Sequence, residues 1–155
     1  MDVQQVQALI ENFRTVNRHL IGEFDFFMEE PIDAARFPYE LNGKFKKGKS
    51  GLYIFSSKDN HKILYIGIAN DIPGRFWVHI GSNFSWTNPD SIASFPNFNL
   101  NWEGLHQETK ECFCNANFSV TAFILNPPEI SRLIESFLIF WAEKHGGRPE
   151  RNISF

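Results

Sequence analysis

The sequence predicts an α+β domain in which a small three-stranded antiparallel sheet is flanked by helices. Three observations predict it: an amphipathic helix pattern opens the chain, two short aromatic and branched runs meet across a polar turn, and a third such run precedes a second helix pattern. At 155 residues the chain has the size of one domain. We expect residues 1–50 to form an N-terminal helical extension and residues 51–155 the main domain, with an insertion at about 82–117.

The first predicted helix covers residues 3–21, where apolar side chains recur at three- and four-residue spacing. This stripe would also suit a short coiled-coil dimer with Asn17 at an a position, although packing on its own domain is the favoured interpretation. A homodimer through this helix stays open. Residues 22–50 contain Pro31, Pro38 and no sustained period, so we expect an irregular connection with at most a helical turn.

A β-hairpin is predicted from residues 51–57 and 62–69, two runs separated by the polar, turn-forming sequence KDNHK. Asn70 and Asp71 can cap a short helix that Gly81 ends, and the insertion can hold a further helix within residues 100–113. Residues 118–125 read as the third strand. A long helix is expected from Glu129 to His145, because two prolines precede it and two glycines follow it.

Charge and composition exclude several classes of protein. The net charge is −3 and the isoelectric point about 5.9, so a generally basic nucleic-acid-binding coat is absent. No apolar run approaches the length of a membrane span, and a cytoplasmic location is expected. Cys112 and Cys114 lack the spacing of a disulfide framework or a zinc site. The dense basic patch consists of Lys44, Lys46, Lys47 and Lys49, which is either a solvated loop or a local contact with nucleic acid.

Candidate functional residues lie on the hairpin and on two predicted helices. Tyr53 and Tyr65 occupy neighbouring strands, and each has a glycine nearby, Gly51 and Gly67, where something can approach the backbone closely. A cross-strand aromatic pair is the simpler interpretation of the tyrosines. Glu135 flanks the apolar stripe of the long helix, where it either pairs with Arg132 or supplies a hard oxygen ligand for Mg²⁺.

Arg75 and His79 are four residues apart on the short helix that is predicted after the hairpin, so both project from one face. A lone arginine or histidine on a helix is normally a solvated surface residue. Arginine is nevertheless the favoured cation for phosphate, because its guanidinium can donate two parallel hydrogen bonds.

These residues together resemble the GIY-YIG nuclease family. Gly51-Leu52-Tyr53 stands where that family has Gly-Ile-Tyr, and Tyr65-Ile66-Gly67 matches its second signature. The resemblance continues through the following helix, the helix after the third strand and the end of the chain, and it covers roughly residues 51–152. The positions that match the remaining family residues are Arg75, His79, Glu135 and Asn152.

The resemblance implies a phosphodiesterase that uses one divalent metal, Mg²⁺ or Mn²⁺. It implies that Glu135 binds the metal, that Arg75 neutralises charge on the phosphate and that Tyr53 activates water with help from Tyr65 or His79, while Asn152 orients the site. The expected substrate is double-stranded or branched DNA. Two other functions stay open: a non-catalytic nucleic-acid-binding module of the same fold, and a protein-interaction domain.

Overall fold

The computed structural model describes residues 1–34, 49–72, 107–146 and 149. In chain order the elements are α1 (Val3–Ile21), β1 (Asp25–Met28), β2 (Ile32–Asp33), β3 (Gly51–Ser57), β4 (Ile63–Ala69), α2 (Gln107–Cys114), β5 (Phe118–Asn126) and α3 (Ile130–His145). Helices and an antiparallel sheet occur together, which confirms the α+β class. Each predicted strand and long helix within these ranges begins within two residues of its expected start. The helix that was expected within residues 100–113 is described from Gln107 onwards, as α2.

The strands form one antiparallel sheet in the order β1-β5-β3-β4, and β2 also pairs with β5. Strand β3 lies between β4 and β5, and all seven of its residues are buried. A strand that is covered on both faces has no polar face, which explains why GLYIFSS reads as a continuous run rather than an alternation. The predicted hairpin and third strand therefore form the centre of the sheet.

Two strands within residues 22–50 were not expected. The prediction of an irregular connection is wrong for 25–28 and 32–33, which form β1 and β2 against β5. Strand β1 lies at the sheet edge and spans four residues, and β2 spans two, so neither is long enough to show a strand period in the sequence. The three-stranded sheet is thus extended to five strands by the N-terminal part of the chain.

One face of the sheet is covered by α1 and α3. Leu52, Ile54 and Ile66 pack there with Ile10 of α1 and Leu138 of α3 in a single apolar cluster. Helix α1 begins with a capping box, in which Asp2 and Gln5 exchange hydrogen bonds between side chain and backbone. The two helices also meet directly, since the rings of Phe13 and Phe137 are 4.8 Å apart. Helix α1 therefore packs on its own domain, which is the interpretation that its sequence favoured.

The outer surfaces of the helices keep some apolar side chains exposed. Val16 and Leu20 of α1 are 60% and 73% exposed, and a homodimer through this helix stays a prediction. Leu133 of α3 is 45% exposed, although it belongs to the apolar stripe of this helix. The buried face of α3 is instead rotated towards Ser131, Leu138 and Ala142, because the helix packs mainly against β4 at one side of the sheet.

The opposite face of the sheet carries a second cluster, which contains Tyr53, Phe55, Phe118 and Val120. Cys112 of α2 packs against this cluster, and its thiol donates to the hydroxyl of Ser57 at 3.6 Å. Adjacent residues of β3 point to opposite faces, so this strand contributes to both clusters at once. Within the described ranges, no helix has the length and apolar character that a membrane span needs.

We predict that Leu138→Ala lowers the free energy of unfolding by about 2–5 kcal/mol, because it leaves a cavity between α3 and the sheet where Leu138 is fully buried. Urea unfolding measures the change. Leu133→Ala on the same helix is the matched control, and its effect should stay within roughly 0.5–1 kcal/mol because the side chain is half exposed. Equal losses from both variants would contradict the packing of α3 described above.

Candidate nuclease site

The two tyrosines lie on the same face of the sheet and contact each other across β3 and β4. Their hydroxyl oxygens are 3.4 Å apart, and their ring centroids are 5.6 Å apart. The register places Tyr53 opposite Gly67 and Tyr65 opposite Phe55, so the tyrosines form a diagonal pair and not a directly opposed one. The ladder is regular between these two pairs, and the one-residue bulge lies beyond them, between Phe55 and Ser56 on the side of the turn.

The surroundings of the two hydroxyls differ. Tyr53 is fully buried, and its ring packs against Phe55 and Tyr65 with centroids 5.7 and 5.6 Å away. Tyr65 is only partly buried, so it keeps surface that a substrate or water can reach. The pair is thus a buried phenol that contacts a partly exposed one.

Both motif glycines have a steric reason in the structure. A methyl group at Gly67 would lie 2.6 Å from Cζ and 2.7 Å from Oη of Tyr53, well inside van der Waals contact. A methyl group at Gly51 would lie 2.0 Å from the backbone oxygen of Phe123 in β5, and the φ of Gly51 is +152°. Gly67 therefore makes room for the tyrosine ring, while Gly51 lets β3 and β5 approach each other.

Glu135 lies on α3 and is partly buried. Burial raises the pKa of its carboxyl above the ordinary value, and the positive charge of Arg132 opposes part of this effect. In the part of the chain that the structure describes, no hydrogen bond or ion pair holds the Glu135 carboxylate, so the expected pairing with Arg132 is a longer-range attraction only.

Ser131 is a neighbour of Glu135 that sequence analysis did not single out as functional. It lies one turn before Glu135 on the same face of α3, is 5% exposed, and its hydroxyl has no hydrogen-bond partner among the described residues. The spacing of four residues was visible in the sequence. That the Ser131 hydroxyl has no partner among the described residues could be seen only in the structure.

The tyrosine pair and the helix that carries Glu135 lie on different faces of the sheet. Helix α3 covers the face of Leu52 and Ile54, whereas the tyrosine rings lie on the other face. Strand β4 connects the two, because it carries Tyr65 and is also the strand against which α3 mainly packs. The remaining family-matched positions, Arg75, His79 and Asn152, lie outside the described residues.

The basic patch is described only in part. Lys44, Lys46 and Lys47 lie outside the described ranges, and Lys49 immediately precedes Ser50 and β3. The ammonium group of Lys49 forms an ion pair with Glu29, and its backbone oxygen accepts a hydrogen bond from the amide of Ile72 at 2.9 Å. Phosphate would have to compete with Glu29 for this lysine.

The donor set fits a single hard cation better than a metal cluster. No group of three or more histidine, cysteine or acidic side chains comes together within the described ranges. Glu135 offers one carboxylate that is partly desolvated and unpaired there, beside the buried and unpartnered hydroxyl of Ser131. Mg²⁺ and Mn²⁺ accept a single protein carboxylate because water and phosphate oxygens complete their coordination.

The fold and this site define an α+β domain with a paired-tyrosine centre on an antiparallel hairpin. The family model of the GIY-YIG catalytic domain matches residues 49–113, which confirms the resemblance. Comparison with curated proteins and with solved structures gives no match. The matched segment includes Tyr53, Tyr65, Arg75 and His79 and ends before Glu135, and the similarity to this catalytic domain supports a nuclease-type function.

We predict that Gly67→Ala displaces the tyrosine pair while the sheet still folds, because the atoms that the new methyl would meet belong to side chains. Gly51→Ala should destabilise the fold itself by more than about 2 kcal/mol, because it collides with the backbone of β5 at a positive φ. Near-ultraviolet circular dichroism measures the tyrosine environment, and urea unfolding measures stability. The reverse order of destabilisation would contradict these roles.

We predict that Glu135→Gln stabilises the metal-free protein near neutral pH. The raised pKa means that the folded state binds the proton more tightly than the unfolded chain does, so ionisation of Glu135 lowers stability as the pH rises through that pKa. The difference in the free energy of unfolding between Glu135→Gln and the parent should vanish below pH 4.5, the ordinary pKa of the carboxyl. Urea unfolding from about pH 4 to pH 8 measures it.

Glu129→Gln is the matched control for the loss of one charge, since Glu129 is an exposed carboxylate at the start of the same helix. An identical response of the two variants to pH would show that burial of Glu135 is not the cause.

Proposed function

We propose that the protein is a metal-dependent DNA endonuclease that hydrolyses phosphodiester bonds. The observation that carries the proposal is the contact between Tyr53 and Tyr65 over Gly67, inside the segment that the GIY-YIG catalytic domain matches. Packing alone does not need two phenol hydroxyls 3.4 Å apart in an otherwise apolar cluster, since phenylalanine would fill the same space.

The tyrosine pair supports the removal of a proton from water. A free phenol has a pKa near 10, so a phenolate at neutral pH needs stabilisation by a hydrogen bond or a nearby positive charge. Each tyrosine hydroxyl can donate to the other, and Tyr65 has the surface by which water can approach. We assign Tyr53 as the general base, with Tyr65 and His79 as the groups that favour its charged form.

Glu135 would hold the divalent cation, Mg²⁺ or Mn²⁺. The bound ion would polarise the phosphate and stabilise the leaving oxygen. Glu135 supplies the negative charge for this ion, and its partial burial keeps the carboxylate from being fully solvated when no ion is present. Arg75 would neutralise charge on the phosphate and Asn152 would orient the site, as in the family that the chain resembles.

The expected substrate is double-stranded or branched DNA. The net charge of −3 excludes broad electrostatic attraction, so DNA would be held by a local cluster, for which Lys44, Lys46, Lys47 and Lys49 are the candidates. Because Lys49 already pairs with Glu29, the contribution of this lysine would be smaller than that of its neighbours.

A second candidate function is a non-catalytic nucleic-acid-binding module of the same fold. The complete burial of Tyr53 favours it, because a general base has to reach water directly or through a neighbour. The two candidates differ in cleavage, not in binding.

The experiment is cleavage of supercoiled plasmid and of branched DNA by the purified full chain, with Mg²⁺, with Mn²⁺ and with EDTA. We expect metal-dependent cutting that falls at least about 100-fold in Glu135→Gln and in Tyr53→Phe, because each variant removes one group that acts at the phosphate. Glu129→Gln is the matched control and should cut at the parental rate.

Binding of the same DNA at low salt is measured in parallel for every variant. Binding without cutting of any substrate would reject the endonuclease and support the binding module. Neither binding nor cutting, by a protein that urea unfolding shows to be folded, would reject both and leave the protein-interaction domain.

A further inference from the structure

A cavity of about 440 Å³ lies at one end of the sheet, where α1 begins and β3 ends. Its apolar walls are Val3 at the start of α1, Met28 at the end of β1, and Pro31. This volume is within the range of small-molecule pockets, which hold their ligands between apolar walls and a few polar groups. The described structure therefore contains a pocket of ligand size away from the tyrosine pair.

The floor of this cavity is made of hydroxyl groups. Ser56 lies directly opposite Ser119 in the pairing of β3 with β5, and Thr121 follows two residues later on the same face. Further along the strands that face is apolar, with Ile54, Leu52 and Phe123 under the two helices. The change from aliphatic to hydroxyl side chains is confined to the part of the face that lines the cavity.

The hydroxyl of Thr121 has no hydrogen-bond partner among the described residues, although Thr121 is 0% exposed. An unpartnered buried hydroxyl costs stability, and Val would fill the same space without that cost. Thr121 lines the cavity, and although its hydroxyl is buried in the described conformation, a rotation about χ1 would let a bound group supply the missing partner. This is an observation independent of the cavity's volume that points to a ligand.

The charges around the cavity are balanced. Asp2 is already engaged in the capping box of α1, and both carboxylate oxygens of Asp33 accept from the ammonium of Lys58, at 3.0 and 3.2 Å. The remaining polar groups are the hydroxyls, the imidazole of His61 and the first-turn amides of α1 at Val3 and Gln4, which have no partner within the helix. This favours a neutral ligand over an anion.

We propose that this cavity is a second binding site, which takes an uncharged nucleoside-sized molecule with one apolar ring and several hydrogen-bonding groups. The ring would pack between Val3, Met28 and Pro31, and its polar edge would meet Thr121 and Ser119. The proposal does not rest on the nuclease function, because the hydroxyl floor and the tyrosine pair are on opposite faces of the sheet.

The test uses nuclear magnetic resonance of the full chain labelled at the methionine methyl groups. The sequence has two methionines, so two signals are expected, and Met28→Leu assigns the one that reports on the cavity. The probes are the four deoxynucleosides, with deoxyribose and inorganic phosphate as comparisons. We expect a saturable shift of the Met28 signal by at least one nucleoside, with a dissociation constant on the order of 0.1–1 mM for a ligand of this size.

Thr121→Val tests the role of the hydroxyl. We expect it to weaken the titrated binding about tenfold, the effect of losing one buried hydrogen bond, without lowering the unfolding temperature, because it removes an unpartnered polar group. Thr15→Val is the matched control, because Thr15 is exposed on α1 and lies outside the cavity. Ser119→Ala is a second variant of the floor and should also weaken binding.

A short single-stranded oligonucleotide as an additional probe distinguishes the source of the ligand. A Met28 shift with nucleosides alone supports a small-molecule site, and a shift with both supports a site for a base at a strand end. No shift with any nucleoside at millimolar concentration would overturn the proposal and leave a hydrated cavity. A shift with inorganic phosphate alone would also overturn it, since the ligand would then be an anion.

Discussion

The packing of the Tyr53 ring over the backbone of Gly67 is the contact on which the candidate site depends. It requires a position without a side chain on β4, and it requires β3 and β4 to be in a register that places the two residues opposite each other. Tyr65 lies opposite Phe55, the next residue of β3 on the same face, so its hydroxyl reaches that of Tyr53 diagonally, and the bulge lies nearer the turn, between Phe55 and Ser56. A hairpin without the bulge would change which residues oppose each other beyond that point.

The position of β3 in the middle of the sheet fixes the geometry of both clusters. Its residues alternate between the tyrosine face and the helix face, so a shift of β3 would disturb both cores at once. Gly51 secures the other side of the strand, where β5 comes too close for any side chain at that position. Gly67 thus leaves room for the ring of Tyr53, and Gly51 leaves room for the backbone of β5. These two steric requirements account for glycine in strands that otherwise favour branched residues.

The elements that were predicted correctly are those whose pattern repeats over enough residues to be seen locally. Helix α1 repeats its apolar stripe over five turns, and the hairpin strands are seven residues each. Strands β1 and β2 were missed because their stability comes from pairing with β5, a contact about 100 residues away in the sequence that no local pattern reveals. Which apolar residues of α3 are buried likewise depends on its contact with β4, and Leu133 stays half exposed.

For the candidate site, the motifs identified which residue types belong together, but not how each is buried. The hydroxyls of Thr121 and Ser131 lack partners among the described residues, and burial raises the pKa of the carboxyl of Glu135, one turn after Ser131. Each of these features lowers the stability of the folded chain, and an apolar residue of similar shape would remove the cost. Where packing alone would favour Val, Ala or Gln, the polar group needs another reason to be present. For Glu135 we propose a cation as that reason, and for Thr121 a ligand in the adjacent cavity. Both proposals thus start from polar groups that are unpaired among the described residues of the core, and side-chain burial is what reveals them.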